Sequence, residues 1–259
     1  MRTPTVVVHR DADLLARAVA ARLVTGLVDV QSARGTASLV LDGGRTSMRT
    51  LAEVAASPAR DAIDWDALDV WWGDERFLPK GDPERNETKA RAALLDHVQL
   101  DPARVHPMPA SDGPDGSDPE TAADRYAAEL LAATRHEDHG PVPQFDICLL
   151  GVGADGHVAS LFPEQPAVYE ERAVAAVRGA PKPPPTRITL TLPAINAAHE
   201  VWVIASGADK SRAAALALSG AGPVQVPAAG VHGRSRTLWL LDAAAASGVP
   251  AGLTRIASP

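Results

Sequence analysis

An imidazole and a carboxylate stand two residues apart beside a run of glycines, at Asp155 and His157. A histidine next to a carboxylate can remove a proton from water or from a substrate, because the carboxylate fixes the tautomer of the ring. A histidine that is only hydrogen-bonded at a turn would give the same pattern. Both interpretations stay open at this point, and the first predicts a general base.

The segment before this histidine, residues 151–156, has the spacing G-x-G-x-x-G of dinucleotide-binding loops. A dinucleotide site continues into a long helix within a βαβ unit. Here Pro163 and Pro166 follow within ten residues of Gly156 and would interrupt such a helix. The sequence therefore argues against a nicotinamide-binding fold.

A second glycine-containing loop follows a predicted strand and opens into a predicted helix. It combines Gly43 and Gly44 with Arg45 and Thr46. Paired glycines let backbone N–H groups face one point, and a helix N-terminus adds partial positive charge. The loop therefore predicts a phosphate or carboxylate site, with a tight strand-to-helix turn as the alternative.

Charged residues follow another predicted strand, which ends in two tryptophans. Asp74, Glu75 and Arg76 are adjacent and cannot all enter an apolar interior unless they are paired. They form either a solvated loop tip or the wall of a polar pocket. In a pocket, Arg76 would supply a cation or an oxyanion donor, and Asp74 a general base or an orienting carboxylate.

Two further cations stand where predicted elements begin. Arg187 opens a predicted strand after three consecutive prolines. Lys210 follows Asp209, a predicted N-cap, and so falls in the first turn of a helix, where the helix dipole disfavours a cation. A bound anion would offset that cost, although exposed lysines are common at helix starts. Neither cation defines a site by itself.

The elements that must position these residues alternate along the chain. Short apolar or β-branched runs predict strands at residues 5–9, 37–41, 68–72, 145–150, 173–177, 187–192, 200–205 and 237–241. Segments of helical period lie between them, with predicted caps at Asp11, Asn86 and Asp118 and one start near Thr46. The pattern predicts one α/β domain over residues 1–259, with a single Rossmann-like, mostly parallel sheet and helices on both faces. Ligands of such sheets bind beyond the carboxyl ends of the strands, where the loops above fall.

Composition restricts the class of protein further. The 259 residues include 25 Lys or Arg and 32 Asp or Glu, for a net charge of −7, and Cys148 is the only cysteine. A disulfide scaffold is thereby excluded. The acidic balance and the lack of a basic stripe argue against a nucleic-acid partner. We find no apolar run near the roughly 18 residues that a membrane helix needs and no signal peptide, so we expect a cytoplasmic protein.

A metal site is not expected either. Residues 136–139 read His-Glu-Asp-His, which is not the H-E-x-x-H pattern of zinc enzymes and lies between proline- and glycine-rich segments. We interpret this stretch as a solvated loop.

Five segments, taken in order, resemble the 6-phosphogluconolactonase family, which is itself similar to the glucosamine-6-phosphate deaminases. The matching residues are 42–47, 72–79 with Asp82 and Asn86, 151–163, 187–189 with Pro193, Ile195 and Asn196, and 206–211. The resemblance implies a Rossmann-like α/β fold. It also implies hydrolysis of 6-phospho-D-glucono-1,5-lactone to 6-phosphogluconate in the oxidative pentose phosphate route, without a metal or an organic cofactor.

The same resemblance implies roles for the catalytic candidates. His157 would activate water against the lactone carbonyl. Asp155 or Asp74 would orient His157 or contact sugar hydroxyls, and Arg76 would lie near the carbonyl or the phosphate. A strained ester needs only a base, oxyanion donors and an anchor for its orientation, so no nucleophilic serine is expected.

For the phosphate, the resemblance implies the loop at residues 43–44 together with Arg187 and Lys210. This chain departs from the family pattern, which is richer in serine and threonine here. Asp42 would repel a phosphate if it faced the pocket, so we expect it to point away or to pair with Arg45.

A second departure separates the two activities of the related families. In the deaminases a glutamate follows the histidine, whereas this chain has Phe162 and then Pro163 at that place. The difference favours the lactonase. A sugar-phosphate isomerase or deaminase and a non-catalytic sugar-phosphate-binding protein stay as alternatives, and we expect a monomer.

Overall fold

The computed structural model describes residues 3–136, 138 and 140–257 of the chain. Its strands are β1 (Thr5–His9), β2 (Ala37–Leu41), β3 (Leu68–Trp72), β4 (Asp74–Arg76), β5 (Ile147–Gly151), β6 (Val174–Val177), β7 (Arg187–Leu190), β8 (Glu200–Ala205), β9 (Arg236–Asp242) and β10 (Thr254–Ile256). A central sheet has the order β10-β1-β9-β8-β5-β2-β3. Every neighbouring pair in it is parallel. The predicted α/β class with a mostly parallel sheet is confirmed.

The remaining strands form a small antiparallel sheet, β4-β7-β6, separate from the central one. This corrects the expectation of a single sheet, which assigned the segments of β6 and β7 to the parallel sheet and left β4 as a loop. Three charged residues carry none of the apolar alternation that predicts a strand. The pairing places Asp74 opposite Thr189 and Arg76 opposite Arg187.

The α-helices lie between these strands along the chain. The structure has α1 (Ala12–Arg34), α2 (Arg45–Ala56), α3 (Asn86–Ala93), α4 (Pro119–Ala132), α5 (Leu192–Asn196) and α6 (Ser211–Leu218). Asp11 caps α1 by accepting the N–H of Leu14 at 2.8 Å. Asp118 caps α4 through the N–H groups of Glu120 and Thr121. Both predicted caps are confirmed.

Two other predicted caps are wrong. Asn86 is the first residue of α3 rather than its cap, because Arg85 occupies the N-cap position. Residue Asp209 lies in a short 3₁₀ turn, Ala208–Lys210, and Lys210 is the N-cap of α6. The local sequence misleads in both cases because the first turn of α3 is capped from another element and α6 continues directly from the 3₁₀ turn.

Apolar positions of helical spacing are buried against the sheet as predicted. Leu15, Val19 and Leu23 of α1 are each at most 1% exposed. Cys148 lies fully buried in β5, which accords with an inert core thiol. Within the described part of the chain, no helix is long and apolar enough to cross a membrane. Glu137 and His139 fall outside the described residues, so the loop predicted there remains a prediction.

Candidate active site

His157 and Asp155 form a direct pair in the loop that follows β5. Nδ1 of His157 lies 2.5 Å from Oδ1 of Asp155. The ring is 18% exposed and packs on the ring of Phe162, with centroids 4.6 Å apart. Among the described residues, the ring's hydrogen-bond contacts are all at Nδ1. The other nitrogen, Nε2, is thus available to take a proton.

The glycines of this loop are needed to fold it around the pair. A Cβ on Gly153 would overlap both the imidazole of His157 and the carboxylate of Asp155. Gly156 has a φ of +89°, which side-chain-bearing residues rarely adopt. The G-x-G-x-x-G spacing therefore serves close packing of a histidine and a carboxylate.

A lysine that the sequence analysis did not single out completes this cluster. Lys182 Nζ lies 3.2 Å from Oδ1 of Asp155 and 3.3 Å from Nδ1 of His157. Burial alone would raise the pKa of the Asp155 carboxyl, but His157 and Lys182 together hold that pKa well below its ordinary value. The only signal for Lys182 in the sequence is a cation within the proline-rich segment before β7.

Asp74 has partners other than the histidine. Its Oδ2 accepts the hydroxyl of Ser160 at 2.5 Å, and its Oδ1 accepts the amide of Asn86 at 2.9 Å. A guanidinium nitrogen of Arg187 lies 3.8 Å from Oδ2. The structure thus places Asp155, not Asp74, against His157, and Asp74 joins β4 to its neighbours.

The side chains of Arg76 and Asn86 are hydrogen-bonded to each other, and Asn86 lies against the loop at Gly43. Nη1 of Arg76 donates to Oδ1 of Asn86 at 2.7 Å and to the carbonyl of Glu84 at 2.8 Å. A Cβ on Gly43 would overlap the amide group of Asn86. Gly43 is therefore required for the close approach of the β2–α2 loop to this asparagine.

Arg187 is a buried cation held by backbone carbonyls. Its Nε donates to the carbonyl of Pro184 at 3.1 Å, and Nη2 donates to those of Lys182 and Pro183 at 3.0 and 3.1 Å. Burial lowers the pKa of its guanidinium, and the charge of Asp74 opposes that shift. An arginine remains charged in proteins, so Arg187 places a fixed positive charge in the site.

Asp42 neither points away nor pairs with Arg45. Its Oδ2 accepts the N–H of Gly44 at 2.9 Å and the hydroxyl of Ser47 at 2.7 Å, which braces the start of α2. Arg45 is exposed. Burial, together with the charge of Asp74, raises the pKa of the Asp42 carboxyl.

A cavity of about 160 Å³ gathers these side chains beyond the carboxyl ends of β2, β3 and β5. The predicted residues that line it are Gly43, Gly44, Asp74, Arg76, His157, Arg187 and Lys210. Asp42, Asn86 and Lys182 line it as well, and the sequence analysis assigned none of these three to a site. Four cations therefore converge on one small cavity, which suits a phosphorylated ligand.

An adjoining hollow of about 100 Å³ lies at the N-terminus of α2. Arg45 and Thr46 line it, and Lys210 lines both this hollow and the cavity. The hydroxyls of Thr46 and Ser206 lie 2.8 Å apart. Gly44, the N-cap of α2, supplies no capping side chain, and the first N–H groups of a helix have no partner within the helix.

A larger cavity, about 390 Å³, lies at the opposite edge of the sheet, near the amino ends of β2 and β3. Two carboxylates in its lining are paired with arginines: Arg34 contacts Asp146, and Arg104 contacts Asp69 at 2.9 Å. We propose that the chemistry takes place in the smaller cavity, because it combines four cations with the histidine.

The fold and this site define an α/β protein with a histidine–carboxylate pair and a cavity lined by four cations at a parallel sheet edge. Residues 10–239 match the family described as glucosamine-6-phosphate isomerases/6-phosphogluconolactonase. The chain belongs to this family.

Similar proteins cover nearly the whole chain. A 6-phosphogluconolactonase of Streptomyces coelicolor is 65% identical over 252 residues, 97% of each chain. One of Mycobacterium tuberculosis is 48% identical over 93% of this chain and 96% of its own. The structure of a 6-phosphogluconolactonase from Trypanosoma brucei superimposes with a TM-score of 0.82 at 28% identity, over 95% of this chain and 99% of that one.

Proposed function

We propose that the chain hydrolyses 6-phospho-D-glucono-1,5-lactone to 6-phospho-D-gluconate, a step of the oxidative pentose phosphate pathway, with His157 as the base. The activity is supported by a relative of that name that is 65% identical and matches along 97% of the chain. The observation that supports the role of His157 is its pairing with Asp155 at 2.5 Å in a cavity lined by four cations. No metal or organic cofactor enters the proposed mechanism.

Binding would begin at the phosphate. The loop at Gly43 and Gly44, the first turn of α2 with Arg45 and Thr46, and Lys210 form one wall of the site. Arg187 adds a fixed charge from the facing side of the cavity. Anchoring the 6-phosphate in this way would hold the lactone carbonyl near the histidine and save most of the entropy of bringing water and ester together.

The chemical step needs one base and one centre of positive charge. Nε2 of His157 takes a proton from water while the water oxygen bonds to C1 of the lactone, and the carbonyl electrons move to oxygen. Lys182 and Arg76 stabilise that oxyanion, and ionised Asp155 stabilises the imidazolium. The C1–O5 bond then breaks as the imidazolium returns the proton to O5, which leaves the open-chain acid.

The histidine's surroundings favour the lactonase over a deaminase. Phe162 occupies the place of the deaminase glutamate, and its fully buried ring packs on the imidazole. An apolar ring at this position offers no second carboxyl group for ring opening. Hydrolysis, which needs only one base, remains possible.

The decisive assay generates the lactone with glucose-6-phosphate dehydrogenase and reports its product with 6-phosphogluconate dehydrogenase. We expect the protein to accelerate product formation well above spontaneous hydrolysis. Glucosamine 6-phosphate serves as the comparison substrate and should give a much lower rate. Failure to accelerate lactone hydrolysis, or faster turnover of the amino sugar, would contradict the proposal.

We further propose that this small-molecule enzyme acts in the cytoplasm as a monomer, without a nucleic-acid partner. The acidic net charge of −7 supports the last point.

A further inference from the structure

Glu75 is a buried carboxylate that makes no contact with the cavity but holds the start of a helix that does. Its side chain is 0% exposed. Oε1 accepts the N–H groups of Arg76 and Asn86 at 2.8 and 2.6 Å, and Oε2 accepts that of Glu87 at 2.9 Å. Glu75 therefore caps α3 from β4 and takes the place of an N-cap side chain, which Arg85 does not provide.

Asn86, whose N–H Glu75 accepts, contacts residues of the cavity through its side chain. The amide of Asn86 donates to the Asp74 carboxylate at 2.9 Å and accepts from Arg76 at 2.7 Å. Its side chain also packs directly under Gly43 of the phosphate loop. A shift of the first turn of α3 would thus move the contacts of three cavity residues together.

We propose that Glu75 is a positioning residue for substrate binding: its carboxylate fixes Asn86, and through it Arg76, Asp74 and the Gly43 loop, in the geometry that holds the phosphorylated lactone. The inference rests on the proposed function for its substrate. The hydrogen bonds that carry it do not depend on that function.

The ionisation of Glu75 makes the effect pH-dependent. Burial raises the pKa of the Glu75 carboxyl to about 7, against the opposing charge of Arg85 and the three N–H donors. The other titratable or charged groups near it are Glu87 and Lys89 of α3, Arg187 of β7 and Tyr126 of α4. Asp74 and Arg76 are its neighbours along β4. Hydrogen bonds to an ionised acceptor are about twice as strong as neutral ones. Protonation below about pH 7 should therefore loosen the cap.

The test compares Glu75→Gln with Glu87→Gln at pH 8. An amide offers one acceptor oxygen, so Glu75→Gln loses the charge and at least one of the three bonds. We expect KM for the lactone to rise about five- to tenfold through the Gly43 loop, and kcat to fall by a smaller factor, about two- to fivefold, through Arg76. Glu87 is a neighbouring buried acid whose side chain, within the described part of the chain, forms ion pairs with Arg85 and Arg91. Its variant should keep KM within about twofold of the wild type.

The pH dependence separates positioning from a general loss of stability. The ratio of the two KM values, Glu75→Gln over wild type, cancels every pH effect that the two proteins share. It should fall towards one between pH 8 and pH 6, because wild-type Glu75 becomes neutral over that range. An unchanged KM in Glu75→Gln, an equal rise in Glu87→Gln, or a ratio constant with pH would each overturn the inference.

A second measurement does not need turnover or a folded variant. The side-chain amide signals of Asn86 in a ¹⁵N NMR titration of the wild type should move with a midpoint near the pKa of about 7. Signals that stay constant from pH 6 to pH 8 would overturn the inference. Wild type that is inactive on the lactone would instead refute the proposed function, and the titration would then decide the positioning role alone.

Discussion

Asp155 and Asp74 belong to the same site, but their partners give them different roles. Asp155 bonds the ring nitrogen of His157, whereas Asp74 bonds Ser160 and Asn86 and lies near Arg187. A carboxylate on Nδ1 selects the tautomer that leaves Nε2 free to accept a proton. We therefore propose that Asp155 serves the chemistry of the site and that Asp74 maintains its shape.

Asp155→Asn should lower kcat about 10- to 100-fold with little change in KM, because an amide can hold the imidazole in the wrong tautomer and cannot stabilise its charged form. Steady-state kinetics of the coupled reaction measure both constants. Asp11→Asn is the matched control, since asparagine caps helices as well as aspartate does and Asp11 lies outside the cavity. A wild-type kcat in Asp155→Asn would remove Asp155 from the mechanism.

Asp42→Asn should stabilise the protein in a pH-dependent way. Both bonds of Asp42 go to one oxygen, which an amide can replace. Burial raises the folded-state pKa of Asp42, so the folded protein disfavours the ionised carboxylate. With respect to this group, the wild-type protein is therefore most stable below the unfolded-state pKa and loses stability as pH rises through the folded-state pKa. The melting temperature of the variant should exceed that of wild type at pH 8, and the gap should close towards pH 4. A difference in melting temperature that does not change with pH would show that the ionisation of Asp42 is not its cause.

At the scale of elements, the β2–α2 loop can approach α3 only because it carries glycine. Gly43→Ala should raise KM about tenfold and cost about 1–3 kcal/mol of stability, since the new methyl group overlaps the Asn86 amide. Kinetics and thermal melts measure the two effects. In Gly252→Ala the methyl group meets no atom within 4 Å, so this variant should resemble the wild type. Equal KM values and equal melting temperatures of the two variants would show that the close approach of Gly43 to Asn86 is not needed.

Elements fixed by short-range signals are predictable from the sequence, and those fixed across space are not. Asp11 and Asp118 cap helices that begin within three residues of them, and both were predicted. The start of α3 depends on Glu75, eleven residues before Asn86 and in another element. Strand β4 likewise exists only through its pairing with β7. No local pattern contains either partner.

The whole molecule explains why most of the site could still be predicted. Loops after parallel strands share one sheet edge, so His157, Gly43 and Asp74 meet although they are far apart in the chain. The sequence could not show which carboxylate faces the histidine, because that depends on the second sheet. Lys182 was missed for the same reason, since the loop that carries it precedes β7, a strand of the second sheet.

We predict that the protein is a monomer that unfolds as one domain. The exposed large apolar residues of the described chain, Leu131, Tyr169 and Leu216, lie on separate elements and form no patch of interface size. Light scattering after gel filtration should give a mass near 27.0 kDa. Calorimetry should show a single transition. A dimer mass or two separated transitions would contradict this organisation.

The most direct test of the catalytic assignment is the turnover of His157→Ala in the coupled lactone assay, corrected for spontaneous hydrolysis. Loss of a general base should lower kcat about 10²- to 10⁴-fold while KM stays within a few-fold, because the phosphate contacts remain. His97→Ala, which removes a histidine that lies outside the cavity, should keep wild-type kinetics. A near-wild-type kcat in His157→Ala would contradict the central claim that this imidazole activates the water.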